Sequence, residues 1–232
     1  MTIHEGHRQR LKRLFLKEGL DQFDESMVLE LLLFFAIPQK DTNPLAHTLL
    51  NTFGSLHQVL DTPAEELEKV PGGGANVATL LTLITATARY YMVSRNNQEV
   101  VLTSVDKCGD YLLPFFFGRR NETVFLLCLD AKCKVLCCKE VGEGSVNSAN
   151  VPIRRIVETA LFTNATSVVL SHNHPSGLAL PSDEDIQTTR RLAMALDAVD
   201  ITLADHIVVA DEDYVSMAQS GIYFPENCHI TV

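Results

Sequence analysis

Two apolar runs rich in β-forming residues, 124–129 and 135–141, are separated by the short polar stretch Asp130-Ala131-Lys132. No other feature limits the fold as strongly, because such a pair reads as a β-hairpin. The segments that follow alternate in kind. Residues 153–162 have helical spacing, and 167–171 form a buried-strand run. Residues 183–197 are helical again, with Ile186, Leu192, Ala193 and Leu196 on one side, and 201–203 and 207–210 read as further strands. Helices mixed with strands, including an adjacent antiparallel pair, predict an α/β or α+β domain.

The first 95 residues follow another rhythm, that of short helices. Asn43-Pro44 places an N-cap before a proline at the first helical position, and Gly54 is a stop signal. Thr62-Pro63-Ala64-Glu65 reads as a capping box, and a longer helix is expected over 75–91. The polar run 94–99 reads as a linker. The expected organisation is a small all-α domain over 1–95 and a second domain over 101–232. No stretch approaches the ~20 apolar residues of a membrane span, and residues 1–19 do not read as a signal peptide. Six scattered cysteines without a framework spacing read as free thiols in a cytoplasmic protein. Cys133, Cys137 and Cys138 lack a second Cys or His pair at finger spacing.

Charge is divided unevenly. The 232 residues carry a formal net charge of −10, which argues against a protein that coats nucleic acid or anionic lipid. Residues 1–95 hold 9 basic and 11 acidic groups, and the remainder hold 10 and 18. The second domain is the acidic one.

Chemistry concentrates in Leu170-Ser171-His172-Asn173-His174-Pro175-Ser176-Gly177. Residues i and i+2 of an extended segment point the same way, so His172 and His174 can present two imidazoles to one point. Asp185 follows one turn into a helix that Ser182 can start, which adds a carboxylate. Three N/O donors with a fourth position open to water suit a catalytic zinc. An isolated His-x-His is a weak signal, and acids in a helix's first turn also favour its positive dipole end.

The joint spacing is far more specific. His172, His174, Pro175, Ser182 and Asp185 reproduce His-x-His-Pro-x6-Ser-x2-Asp, and the chain resembles JAMM (MPN+) metalloproteases there. His-Asn-His-Pro-Ser-Gly with the downstream Asp205-His206-Ile207 resembles the bacterial RadC family more narrowly, over about residues 7–224. The resemblance implies a cytidine-deaminase-like mixed sheet flanked by helices from about Val101 onward. It also implies one catalytic Zn2+ on His172, His174 and Asp185, and a Ser182 that helps stabilise an oxyanion. A glutamate from an upstream strand would activate water. Glu122, at the start of the hairpin strand, is the best match, with Glu140 and Glu143 as rivals. Zinc-dependent hydrolysis of a peptide or isopeptide bond in an unidentified substrate is the expectation. A nucleobase deaminase would need His-x-Glu and Pro-Cys-x-x-Cys, and neither occurs. Asp205-His206 precedes a strand and reads first as a buried hydrogen-bonded pair, with a place beside the zinc pocket as the alternative.

The other expectation concerns DNA repair or DNA processing, with the zinc domain structural or marginally active. Residues 64–91 resemble a helix-hairpin-helix segment, whose helix N-terminus faces a phosphate. Here Gly73 replaces the usual apolar residue and Asn76 the usual basic one, while Glu65, Glu66 and Glu68 oppose a single Lys69. Any DNA contact by this domain would be weak, since counterion release requires cations. Arg8, Arg10, Lys12, Arg13 and Lys17 form the one concentrated basic stretch and read as the solvated side of an amphipathic helix.

Overall fold

The structure is a computed structural model that describes residues 3–95, 100–144 and 152–224. The chain divides into two compact units, residues 1–88 and 89–232. Residues 96–99 of the expected linker, the polar loop at Asn147, Ser148 and Asn150, and Cys228 lie outside the described residues.

The first unit is helical: α1 (Ile3–Glu18), α2 (Glu25–Ala36), α3 (Asn43–Phe53), α4 (Leu56–Leu60), α5 (Ala64–Lys69) and the beginning of α6 (Ala75–Arg95). Leu29, Leu33, Leu49, Leu67 and Leu81 are fully buried together in its core. Two helix starts differ from the sequence expectation. Helix α3 opens at Asn43 itself, behind Thr42, and the Asn43 amide donates to the buried Glu30 carboxylate at 3.2 Å instead of capping. The capping box lies at Ser55 and Gln58 and not at Thr62–Glu65. Pro63 offers no cap hydroxyl, and the Thr62 hydroxyl donates back to the Gln58 carbonyl at 2.7 Å.

The turn between α5 and α6 explains why Gly73 stands where an apolar residue was expected. A Cβ there would lie 2.5 Å from the Leu67 carbonyl oxygen. The basic stretch on α1 also departs from a uniformly solvated face. Arg8 donates to the carbonyls of Ile37 at 2.6 Å and Pro38 at 2.9 Å, and also to that of Lys40. It thus satisfies acceptors just past the end of α2. Lys17 pairs with Glu18 at 2.8 Å.

The second unit adds α7 (Val105–Phe116), β1 (Thr123–Leu129), β2 (Val135–Glu143), α8 (Ile153–Phe162), β3 (Ser167–Asn173), α9 (Asp183–Asp197), β4 (Thr202–Ala210) and β5 (Asp213–Ser216). The strands form one mixed sheet in the order β2-β1-β3-β4-β5. Strand β3 pairs antiparallel with β1 and parallel with β4, and β4 pairs antiparallel with β5. The expected hairpin is β1–β2, turned by Asp130, whose carboxylate accepts from the Lys132 and Lys134 amides at 2.8 and 2.9 Å.

Side chains alternate across the sheet. Phe125, Leu127, Leu129, Val169 and Ile207 pack with Leu112 and Phe116 of α7. Val124, Leu126, Cys128, Val168 and Leu170 pack with Ile156 of α8 and Leu192 of α9. Cys133 and Cys138 belong to the α7 face, while Cys128 and Cys137 belong to the other, so the cysteines do not converge on one point. The five described cysteines are free thiols. Among the described residues no helix is long and apolar enough to cross a membrane.

Strand β4 is a single element, not the two short strands expected from 201–203 and 207–210. A register shift lies within it, because Val168 faces Leu203 while Val169 faces Asp205. The extra residue reverses the alternation beyond it, as a β-bulge does. His206 therefore stands opposite Leu170, on the α9 face.

Candidate metal centre

The candidate site grows from the C-terminal end of β3 and the first turn of α9. Strand parity puts His172 on the α9 face, beside Val168 and Leu170, and His174 follows just past the strand end. Helix α9 begins with a full capping box. The Asp185 N–H donates to Ser182 Oγ at 3.2 Å, and the Ser182 N–H donates to Asp185 Oδ2 at 2.7 Å. Helix initiation thus fixes the Asp185 carboxylate in place.

The donor atoms of His172, His174 and Asp185 all lie within 4.8 Å of one another. His172 Nε2 is 3.2 Å from Asp185 Oδ1, and His174 Nε2 is 3.5 Å from Oδ2. Two observations test whether these residues suit a metal. The Nδ1–H of His174 can donate to the Leu178 carbonyl at 3.0 Å, which leaves its Nε2 lone pair facing the cluster. Asp185 Oδ2 already accepts the Ser182 N–H and, at 2.7 Å, the Ser182 hydroxyl, so Oδ1 is the less encumbered oxygen. Two imidazole nitrogens and one carboxylate oxygen are an N/O set that suits Zn2+. The residues fit the ion.

The same contacts shift the titration of Asp185 and His174. Burial pushes the Asp185 carboxyl up, but hydrogen bonds with His172, His174 and Ser182 outweigh it and hold the group well below the usual carboxylate range. His174 is raised by its hydrogen bond to Asp185, against an opposing effect of burial, with Glu122 adding a smaller upward pull. The side chains of His172 and Asp185 are 0% and 1% exposed, whereas that of His174 is 15% exposed, so access to the cluster lies on the His174 side. Leu178 and Leu180, in the loop leading to α9, are largely exposed.

The three candidate glutamates separate by sheet face. Val124 stands opposite His172 at the end of the antiparallel pairing, and Glu122 immediately precedes β1. Continuing the strand alternation back from Val124 would give Glu122 the side of His172. Glu140 and Glu143 stand opposite Phe125 and Thr123, on the alternate parity. Glu140 pairs with Arg119 at 2.8 Å, and Glu143 accepts from the Asn121 amide at 3.0 Å. Ser182 lies beside the cluster, with its hydroxyl directed at Asp185 Oδ2.

Two further residues, Asn173 and Thr189, escaped the sequence reading, and a third, His206, had a place beside the pocket only as the second alternative. Asn173 bridges the chain on both sides of Glu122: its Oδ1 accepts the Thr123 N–H at 2.8 Å, and its Nδ2 donates to the Asn121 carbonyl at 3.2 Å. His206 touches His172 through their ring nitrogens at 2.8 Å, and Thr189 touches His206 at 2.6 Å. The first has a faint signal in its place between the two histidines. The contact of Thr189 with His206 depends on the bulge in β4 and has none. Asp205 and His206 are buried and hydrogen-bonded, but through the main chain: Asp205 Oδ1 accepts the His206 N–H at 2.7 Å. Asp205 also accepts from the Ser216 hydroxyl at 2.6 Å and the Ala218 N–H at 3.0 Å.

The family model of the RadC-like JAB domain matches residues 102–222. The chain belongs to the RadC family. A relative in Ruegeria pomeroyi, UPF0758 protein SPO0054, is 36% identical over 93% of this chain and 96% of its own length. UPF0758 protein Smlt0399 of Stenotrophomonas maltophilia is 35% identical over 97% of each chain. The likeness thus spans the helical unit as well as the RadC domain, and the mixed five-stranded sheet agrees with it.

Proposed function

We propose that this RadC-family chain is a zinc-dependent peptidase or isopeptidase. The observation that carries the reading is the convergence of His172, His174 and Asp185, with Glu122 two residues ahead of Val124, the strand partner of His172. When bound, zinc would supply Lewis acidity, lowering the pKa of a water molecule to about 7 and polarising a carbonyl.

The residues supply the rest. His172, His174 and Asp185 would hold the ion. Glu122 takes the proton of the attacking water and returns it to the leaving amine, general acid–base work worth about 10²- to 10⁴-fold in rate. The Ser182 hydroxyl turns from Asp185 Oδ2 toward the developing oxyanion, while the Ser182 N–H keeps its bond to that carboxylate oxygen. A peptide lying along the His174 side meets the accessible ligand first.

Zinc quantification joined to cleavage profiling on a library of protein-derived peptides tests this. Glu122→Gln should retain zinc and lose cleavage, whereas Asp185→Ala should lose both. Full metal occupancy after replacement of both His172 and His174 would end the proposal.

A further inference from the structure

We infer that His206 and Thr189 are positioning residues that set the tautomer and ring orientation of His172 and so tune the metal affinity of the site. The inference rests on the zinc reading above. His172 Nδ1 lies 2.8 Å from His206 Nε2, His206 Nδ1 lies 2.6 Å from Thr189 Oγ1, and the Thr189 hydroxyl lies 2.6 Å from the Asp185 main-chain carbonyl. All four residues are buried. The chain of contacts therefore starts on one candidate ligand and ends on the backbone of another.

Proton counting gives the chain a direction. A carbonyl oxygen can only accept, so the Thr189 hydroxyl donates to Asp185. The Met217 sulfur, at 3.5 Å from the same hydroxyl, is a much weaker acceptor. With its proton committed, Thr189 Oγ1 accepts from His206 Nδ1–H. His206 is then neutral with a lone pair on Nε2, which accepts from His172 Nδ1–H. The last consequence falls on the site, because His172 Nε2 is left bare, 2.9 Å from His174 Nε2 and 3.2 Å from Asp185 Oδ1, three lone-pair-bearing atoms that a cation would bring together. The reverse direction would put a proton on His172 Nε2, where a metal needs the lone pair, and would strip the Asp185 carbonyl of this donor.

His174 reaches the same state by a simpler route, through its donation to the Leu178 carbonyl. The two histidines thus use different anchors, a loop carbonyl for the accessible one and a side-chain relay for the fully buried one. A ligand histidine's other nitrogen generally needs such a partner, and removing it typically costs 10- to 100-fold in affinity. The relay also spans β3, β4 and α9, so it ties the ligand-bearing strand to the ligand-bearing helix through a third element.

Zinc dissociation constants, measured by chelator competition on the full chain, test the relay. His206→Leu should weaken zinc binding by about 10- to 100-fold. His206→Gln should recover most of the loss, since its Oε1 can occupy the position of Nε2 and accept from His172. Thr189→Val should weaken binding while Thr189→Ser should not, and this pair guards against a leucine variant that fails to fold. A merely structural role would not separate Gln from Leu or Ser from Val at equal thermal stability. Wild-type affinity in both His206→Leu and Thr189→Val would overturn the relay alone. A wild-type chain that takes up no zinc would instead overturn the metal reading on which it rests.

Discussion

Replacing Asn173 with alanine should loosen the segment that carries Glu122 while sparing the three metal-site donors. Asn173 is 5% exposed and Thr123 is 1% exposed, so the bond from the Thr123 N–H to Asn173 Oδ1 is made out of water. Removing its acceptor leaves a buried donor unsatisfied, at a cost of about 1–3 kcal/mol. The second bond, to the Asn121 carbonyl, is part-buried and contributes about 1 kcal/mol. Together they give about 2–4 kcal/mol, or a fall of about 1–2 M in the urea midpoint of the second unit. Hydrogen exchange localises the effect: the Thr123 amide should exchange faster in Asn173→Ala, while amides in the middle of α9 keep their protection. Zinc uptake should persist, because His172, His174 and Asp185 keep their own partners. A stability loss below about 0.5 kcal/mol with unchanged exchange at Thr123 would refute the reasoning.

Other positions give sharp expectations too. Gly73→Ala should destabilise the helical unit by about 1–3 kcal/mol through the clash of its Cβ with the Leu67 carbonyl, read as a lower thermal midpoint. Asp205 is pushed up to about 6 by burial, against hydrogen bonds that favour the anion. Its folded pKa exceeds the unfolded value near 3.9, so the folded state holds the proton more tightly. The associated stabilisation is complete below about pH 4 and is lost as pH rises through 6, a change of roughly 3 kcal/mol. Asp205→Asn should flatten that part of the stability profile, and an unchanged slope between pH 4 and 6 would contradict the assignment.

The parts of the site legible in the sequence were those written contiguously. His172, His174, Ser182 and Asp185 lie within 14 residues, and their spacing encodes a strand end and a helix start that need no distant partner. Glu122 is preferred to Glu140 and Glu143 by resemblance alone, because the register of β1 against β2 and β3, which separates these carboxylates, is a tertiary property. The sequence leaves the place of His206 between two alternatives for a similar reason. Adjacent residues in a regular strand point apart, but only the bulge in β4 decides which of Asp205 and His206 joins the site. Helix α7 escaped notice because Gly109 and Pro114 interrupt its pattern. A Cβ at Gly109 would meet the Tyr214 ring at 2.3 Å, so packing excludes a better helix former. Tertiary contacts fixed what the local pattern left open.

The pairing of β1 with β3 also determines which length changes the second unit can absorb. Deleting one residue between Val124 and Leu129, with the rest of the strand held by its partners, would turn Glu122 to the α7 face. The His172–His174–Asp185 cluster, held by β3 and α9, would keep its donors. Removing two residues would restore the face but displace Glu122 by about 7 Å along the strand. Changes in strand length, unlike point substitutions, would therefore uncouple ion capture from carboxylate delivery. A collection of single-codon deletions across β1 should separate into chains that bind metal and chains that do not fold, with none that cleaves.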